Sequence, residues 1–312
     1  MPAYERGLCE VGDQVFAWLQ PDGGWGWSNA GLVVDGDDTL LVDTLFDLRL
    51  TREMLDAMRR AVPAAATIGT VVNTHANGDH CYGNELVAGS DIVASTRAAE
   101  EMARVPPSIL AAMVTSSAPS PVGEYIRRIF GAFDFNGITL TLPTRTFDGQ
   151  LDVMIGDTAA LLLELGPAHT AGDVVVEVPA RRVLFSGDLL FIGGHPIIWA
   201  GPVGNWVHAL DRILAMDVDV IVPGHGPVTN KAGVAELRAY FVELEAAART
   251  CWQEGLSPLD AARRIRIDRA VGWGEAERVV VNVAACYQGF AGETGRPETG
   301  DLFADMATLA GG

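Results

Sequence analysis

The chain has 312 residues, is 49% hydrophobic, and carries 40 acidic against 22 basic side chains, a formal charge of −18. This length and apolar content exclude a mini-protein or a disordered tail and allow one large core, alone or with an appendage. The negative charge repels phosphate backbones, and without a basic patch it argues against nucleic-acid work.

The opening MPAYERGLCEVGDQ has no basic region followed by an apolar stretch, and no run of about 18 apolar residues marks a membrane span. A cytoplasmic location is therefore expected, with neither nucleic acid nor membrane as partner. The four cysteines, Cys9, Cys81, Cys251 and Cys286, are far apart and form no C-x-x-C pair, so no disulfide framework is predicted.

Apolar residues recur in strand-like fashion from Cys9 to Leu19 and run into PDGGWGWSN, whose glycines require a turn or loop. Ala30 to Val34 and Thr39 to Val42 read as strands joined by the acidic DGDD turn. Leu48 to Val62 has apolar spacing near 3.6 and predicts a helix. The short strand IGTVVN then ends at His75. Between Thr96 and Gly137 helical segments broken by VPPS and SAPSPVG read as an insertion, spanning about residues 97–137, that covers something.

Further strands are predicted at Ile138 to Leu142, Leu151 to Ile155, Ala159 to Leu165, Val174 to Val178 and Val183 to Ser186. A helix follows from Trp206 to Met216 and a strand from Val218 to Val222. From Val234 onward the chain is mostly helical. Strands alternating with helices imply an α/β layering, with residues 1–233 as the main domain and 234–312 as a helical extension packed on it.

Four of the six histidines sit at turns after apolar strands, in VVNTHANGDH, LGPAHTAGD and VPGHG, and Asp188 closes a further strand in LFSGDLL. Loops at strand ends are where a rigid scaffold presents reactive groups, and imidazole and carboxylate are the zinc donors available when thiolates are absent. A lone histidine is more often a polar or capping residue. Four histidines recurring with two matched aspartates favour a shared site.

The ordered set H-x-x-x-D-H, G-x-x-H-T-x-G-D, G-D and P-G-H-G, over about residues 8–228, resembles the metallo-β-lactamase superfamily. The resemblance implies a four-layer αββα sandwich with a metal cleft at one edge, here with a helical lid insertion and C-terminal helices. It implies His75 and His169 at a first metal position, Asp79, His80 and His225 at a second, and Asp188 as the bridging carboxylate. The chain departs from the family's H-x-H-x-D-H motif: Asn77 replaces the middle histidine, and a neutral amide oxygen is a poor zinc donor. One firmly held zinc and a weak second position are expected.

Asp79 is both a ligand and the carboxylate suited to orient the attacking water, and His195 is a second acid–base candidate unless its G-H-P context is only a turn. Asp43 resembles the family's aspartate that fixes a ligand imidazole, although a strand-end turn role fits it equally. Trp25, Trp27 and Trp199 are candidate substrate contacts, and simple packing is the alternative for the first two. Cys81 is read as structural.

The WLQPDGGWGWSNAG opening, the HANGDH motif and the HPIIWAGPVGNW run are similar, more loosely, to cyclases of aromatic polyketide pathways in actinobacteria. That resemblance implies zinc polarising a β-dicarbonyl of a small-molecule or carrier-bound acyl substrate, with thioester cleavage at the same site. Two alternatives stand beside it: a small-molecule lactonase or β-lactamase-like hydrolase, and a non-catalytic binding protein with a degenerate metal site. Oligomeric state has no sequence signature here.

Overall fold

The computed structural model describes residues 1–116, 120–292 and 299–311. Seven strands form one sheet in chain order: β1 (Gly7–Gly12), β2 (Val15–Leu19), β3 (Ala30–Asp35), β4 (Asp38–Val42), β5 (Thr70–Val72), β6 (Asp91–Ser95) and β7 (Arg145–Phe147). Strands β1 to β4 pair antiparallel, and β4 to β7 parallel. The second sheet comprises β8 (Gln150–Ile155), β9 (Thr158–Glu164), β10 (Val174–Val178), β11 (Val183–Phe191) and β12 (Val220–His225), in the order β12-β11-β10-β9-β8.

The apolar runs of the central strands follow from burial of both faces. In β4, Leu40 and Val42 enter the core between the sheets, while Leu41 points to the helical side. In β10, Val174, Val176 and Val178 face inward and Val175 outward. Successive strand side chains alternate in direction, so a strand sandwiched between a second sheet and a helix layer is apolar on both faces. At Gly31 the sheets approach so closely that a Cβ would overlap the Phe185 ring. The expected αββα sandwich is the observed architecture.

Helix α1 (Leu48–Ala61) covers the first sheet, with the Asp47 carboxylate accepting from Leu50 N at 2.7 Å to cap it. The four-residue α2 (Gly78–Cys81) carries Asp79 and His80, and α3 (Thr96–Met102) follows β6 directly. The insertion forms α4 (Pro107–Ser116) and α5 (Pro121–Phe130); part of its SAPSPVG break, residues 117–119, lies outside the described residues. On the second sheet's side lie α6 (Val203–Ala215) and α7 (Lys231–Gln253), followed by α8 (Pro258–Arg264), α9 (Val279–Ala291) and α10 (Thr299–Ala310). No described helix is long and apolar enough to cross a membrane.

Several boundaries differ from the sequence expectation. Residues 138–142 form no strand; Pro143 brings no N–H, and pairing with β6 begins only at Thr144, whose N donates to Ile92 O at 2.8 Å, and continues through β7. Strand β11 continues past Ser186 to Phe191, with register shifts against β12 at Gly187 and Phe191. The expected division at residues 233/234 falls inside α7.

Candidate metal centre

The site lies where β5, β11 and β12 and the β9–β10 loop meet at one end of the two sheets. After β5 the chain turns through Asn73 and Thr74 to His75, and α2 then brings Asp79 and His80 back beneath it. Around Asp188 Oδ2, His169 Nε2 stands at 3.3 Å, His225 Nε2 at 3.4 Å and His75 Nε2 at 3.7 Å; His80 Nε2 is 3.1 Å from Asp188 Oδ1. Asp79 Oδ2 is 3.3 Å from His225 Nε2 and 3.8 Å from His80 Nε2. The six residues divide into two clusters, His75/His169/Asp188 and Asp79/His80/His225, each with donor atoms within 4.8 Å of one another.

The outer nitrogens explain this convergence. His75 Nδ1 meets Thr74 Oγ1 at 3.0 Å, His80 Nδ1 meets Asp43 Oδ2 at 2.8 Å, His169 Nδ1 meets Ile197 O at 2.7 Å, and His225 Nδ1 meets Gly23 O at 3.0 Å. Each partner is an oxygen that can accept, so Nδ1 holds a proton and Nε2 turns inward, where it offers a lone pair once the ring is neutral. Asp43 anchors two of the four: it accepts from His80, and from Thr74 N and Oγ1, both at 2.7 Å, which leaves the Thr74 oxygen to accept from His75. The Asp43 backbone is left-handed, with φ 64°, which places its carboxylate beneath both histidines. Asp173 secures the third ligand by accepting from Ala168 N and from Thr170 N and Oγ1 on either side of His169.

Close packing demands glycine at Gly224: a Cβ there would overlap Asp188 Oδ1. Gly187, with φ 51°, lets β11 bend so that Asp188 turns into the site.

Burial opposes charge on every imidazole here, but the neighbours split the set. Burial and the His80 cation hold His75 well below the ordinary imidazole range, and burial takes His169 down to about 4. Against burial, Asp188 and Asp79 lift His225 to about 9, and Asp188, Asp79 and Asp43 hold His80 well above the ordinary range. Asp188 is kept ionised, despite burial, by the ring of histidines led by His225 and His80.

His75 Nε2, His80 Nε2 and Asp188 Oδ1 are buried without a hydrogen bond, even though His80 Nε2 and Asp188 Oδ1 lie close. Buried polar atoms without a hydrogen-bond partner are costly, and a metal ion, which takes deprotonated imidazole and ionised carboxylate, resolves all of them at once. The donor set therefore fits a metal. Asn77 sits beside it with Nδ2 3.0 Å from His169 Nε2, where its amide hydrogen takes up the lone pair that would face the first metal position.

The clusters open into a cavity of about 660 Å³ whose walls are mostly apolar. Trp25 from the glycine-rich loop and Trp199 line it, with ring centroids 6.5 Å apart. Ile109, Met113 and Phe130 of the insertion form one wall, so the helical insertion is a lid over the site. The structure does not bring Trp27 to this cavity; it packs on Phe133, with centroids 4.8 Å apart, and lines a separate cavity. Nor does His195 reach the cavity wall: its Nδ1 lies 3.0 Å from the Tyr240 hydroxyl, its ring lies near Trp273, and burial lowers it to about 4. Cys81 donates to Asn77 O at 3.3 Å, and burial pushes its thiol well up.

Sequence reasoning missed Arg278 and Phe303, which line the cavity from the C-terminal region. They carry no local motif, and only the packing of α9 and α10 across the opening reveals them.

Residues 23–225 match the sequence profile of the metallo-beta-lactamase superfamily, and the chain belongs to that superfamily. It is 26% identical over 203 residues to 2,4-dinitroanisole O-demethylase subunit alpha of a Nocardioides species, covering 62% of this chain and 51% of that protein. It is 27% identical over 141 residues to a linear primary-alkylsulfatase of a Pseudomonas species, covering 41% and 26%. Thus the chain spans about half the length, or less, of these curated relatives. Among solved structures it resembles the sec-alkylsulfatase Pisa1 of Pseudomonas, with TM-score 0.69, 19% identity, and coverage of 92% of this chain and 50% of that one. A metallo-beta-lactamase from Pontibacter korlensis superposes with TM-score 0.56 at 20% identity, covering 76% and 99%. At these identities the structural likeness establishes the fold.

Proposed function

We propose that the protein is a zinc-dependent hydrolase that cleaves a thioester, ester or lactone in a substrate with a bulky, flat apolar group. The observation that carries this reading is the inward set of Nε2 and carboxylate donors at the end of a large aromatic-lined cavity. Asp79, His80, Asp188 and His225 would hold the firmly bound ion, and His75, His169 and Asp188 the weaker one. Bound zinc supplies hydroxide at neutral pH and polarises a carbonyl.

The chain's own residues supply the rest. Asp79, held ionised by His80 and His225 against its burial, is the base that takes a proton from the attacking water at a carboxylate oxygen. Trp25, Trp199 and Phe130 exclude water and hold a flat substrate by its face. Asn77 weakens the first position twice: its amide is a poor donor, and its Nδ2 already occupies His169 Nε2.

The same cavity suits ring closure of a poly-β-keto thioester before release. The test is zinc content, together with turnover of thioesters, lactones, alkyl sulfates and poly-β-keto thioester mimics followed by mass spectrometry, in wild type and Asp79→Ala. About one zinc per chain and thioester or lactone turnover that is lost in Asp79→Ala supports the hydrolase. Cyclised product adds the ring-closing step, whereas turnover of sulfate esters alone reassigns the bond cleaved. Zinc-loaded protein with no turnover would make this a binding protein.

A further inference from the structure

The cavity wall holds one cationic side chain whose charge the metal site does not use. Arg278, which immediately precedes α9, is only 2% exposed and lines the cavity. No carboxylate forms an ion pair with it among the described residues, and its Nη1 donates to His195 O at 3.0 Å. Among the described residues Nε is buried without a partner, and Nη2 makes no hydrogen bond. One face of the guanidinium lies over the Trp25 ring, 4.2 Å from its centroid.

Burying a guanidinium without a carboxylate is costly, so such groups are normally paired. Trp25 returns part of that cost through its ring, and its indole is itself held by Glu277 at 3.4 Å, which also accepts from Tyr125 at 3.0 Å. Glu275 and Glu277 lie within electrostatic reach, but neither forms an ion pair with Arg278 among the described residues: Glu277 turns Oε1 to Trp25 and Tyr125, and burial pushes the Glu275 carboxyl up, toward its neutral form. The donors left over on Arg278 are Nε–H and Nη2–H; Nε has almost no accessible surface, so a small shift of the guanidinium along the Trp25 face is needed before the two act as the parallel pair that grips two oxygens of one anion side by side.

We propose that Arg278 is a specificity residue that binds an oxyanion carried by the substrate, a carboxylate or a sulfate-type group, at a point separate from the bond cleaved at the metal. The C-terminal region would then select among apolar substrates by charge, within the hydrolase reading given above. An apolar cavity holding one unpaired fork rejects a neutral analogue because the cation would stay buried and unsatisfied.

The experiment compares binding of decanoate, decyl sulfate and decanol to zinc-loaded wild type, Arg278→Met and Arg278→Lys by titration calorimetry. Binding is read without turnover, so this test stands even if the hydrolase assay fails. Attraction of either anion to the metal is common to all three proteins, so the change in anion-to-alcohol preference is the readout. A preference that falls at least tenfold from wild type to Arg278→Met, and less in Arg278→Lys, supports the assignment. Whichever anion loses more identifies the group recognised. If Arg278→Met does not fold, Arg278→Lys decides: it keeps the charge and loses the fork, and an undiminished preference there overturns the proposal. Equal preferences in all three proteins overturn it outright.

Discussion

Replacing Asp43 by Asn separates the charge of this buried residue from its shape. Asn tolerates the left-handed backbone that Asp43 adopts at φ 64°, so the turn itself is kept. One oxygen still accepts from Thr74 N, but the new Nδ2 replaces the oxygen that stands 2.8 Å from His80 Nδ1 and 2.7 Å from Thr74 Oγ1. Two donors cannot face each other, so His80 must give up its Nδ1 proton and carry one on Nε2, pointed at the metal position. Thr74, no longer donating to Asp43, turns its hydrogen toward His75 Nδ1 at 3.0 Å and flips that ring's tautomer too.

Loss of one such supporting partner costs about 10- to 100-fold in metal affinity. Because two ligands respond, the upper end is expected, equivalent to about 2.8 kcal/mol. Competition with a chromogenic chelator measures the affinity, and imidazole nitrogen shifts report the tautomers. Wild-type affinity in Asp43→Asn, with His80 still protonated at Nδ1, would refute the tautomer argument.

Three further outcomes follow from the same geometry. Asn77→His should raise bound zinc from about one toward two per chain, read by elemental analysis, since an imidazole replaces the amide at His169 Nε2; an unchanged count would remove Asn77 as the cause of the weak position. Gly224→Ala should push Asp188 aside and cost metal binding, with about 1–3 kcal/mol of stability lost to overpacking; full metal content would show that β12 yields instead. In the chelator-treated chain, His225 is lifted from 6.5 to about 9, so its stabilising charge is fully present below pH 6.5 and lost as pH rises through 9. The melting temperature of the metal-free protein should fall over that window, whereas the metal-loaded protein gains, because metal needs deprotonated imidazole; a metal-free melting temperature that rises instead contradicts the charge assignment.

The strands and the candidate ligand clusters were legible in the sequence because both are written locally. Strand β10 reads as VVVEV since both its faces are buried, and the histidines announce themselves as polar residues that break apolar strands at turns. The strand expected at residues 138–142 misled for the complementary reason: its alternation is local, but pairing depends on what lies beside it, and only Thr144 to Phe147 reaches β6. His195 illustrates the same limit, because the sequence places it near Asp188 while Tyr240 of α7 draws its ring away from the cavity.

By itself the sequence determined the layered α/β fold and pointed to the six candidate ligands and to the departure at Asn77, all properties of residue types at short spacings. Tertiary structure alone decided which nitrogen of each imidazole faces inward, because the acceptors Asp43, Ile197 and Gly23 are 28 to 202 residues away along the chain from the histidines they hold. It likewise decided that Trp25 and Trp199 share a wall with Phe303 while Trp27 does not, and that Arg278 lines a mostly apolar cavity with no ion-pair partner among the described residues. Those are facts of packing between segments remote in sequence, where neither propensity nor periodicity carries information about which surfaces meet.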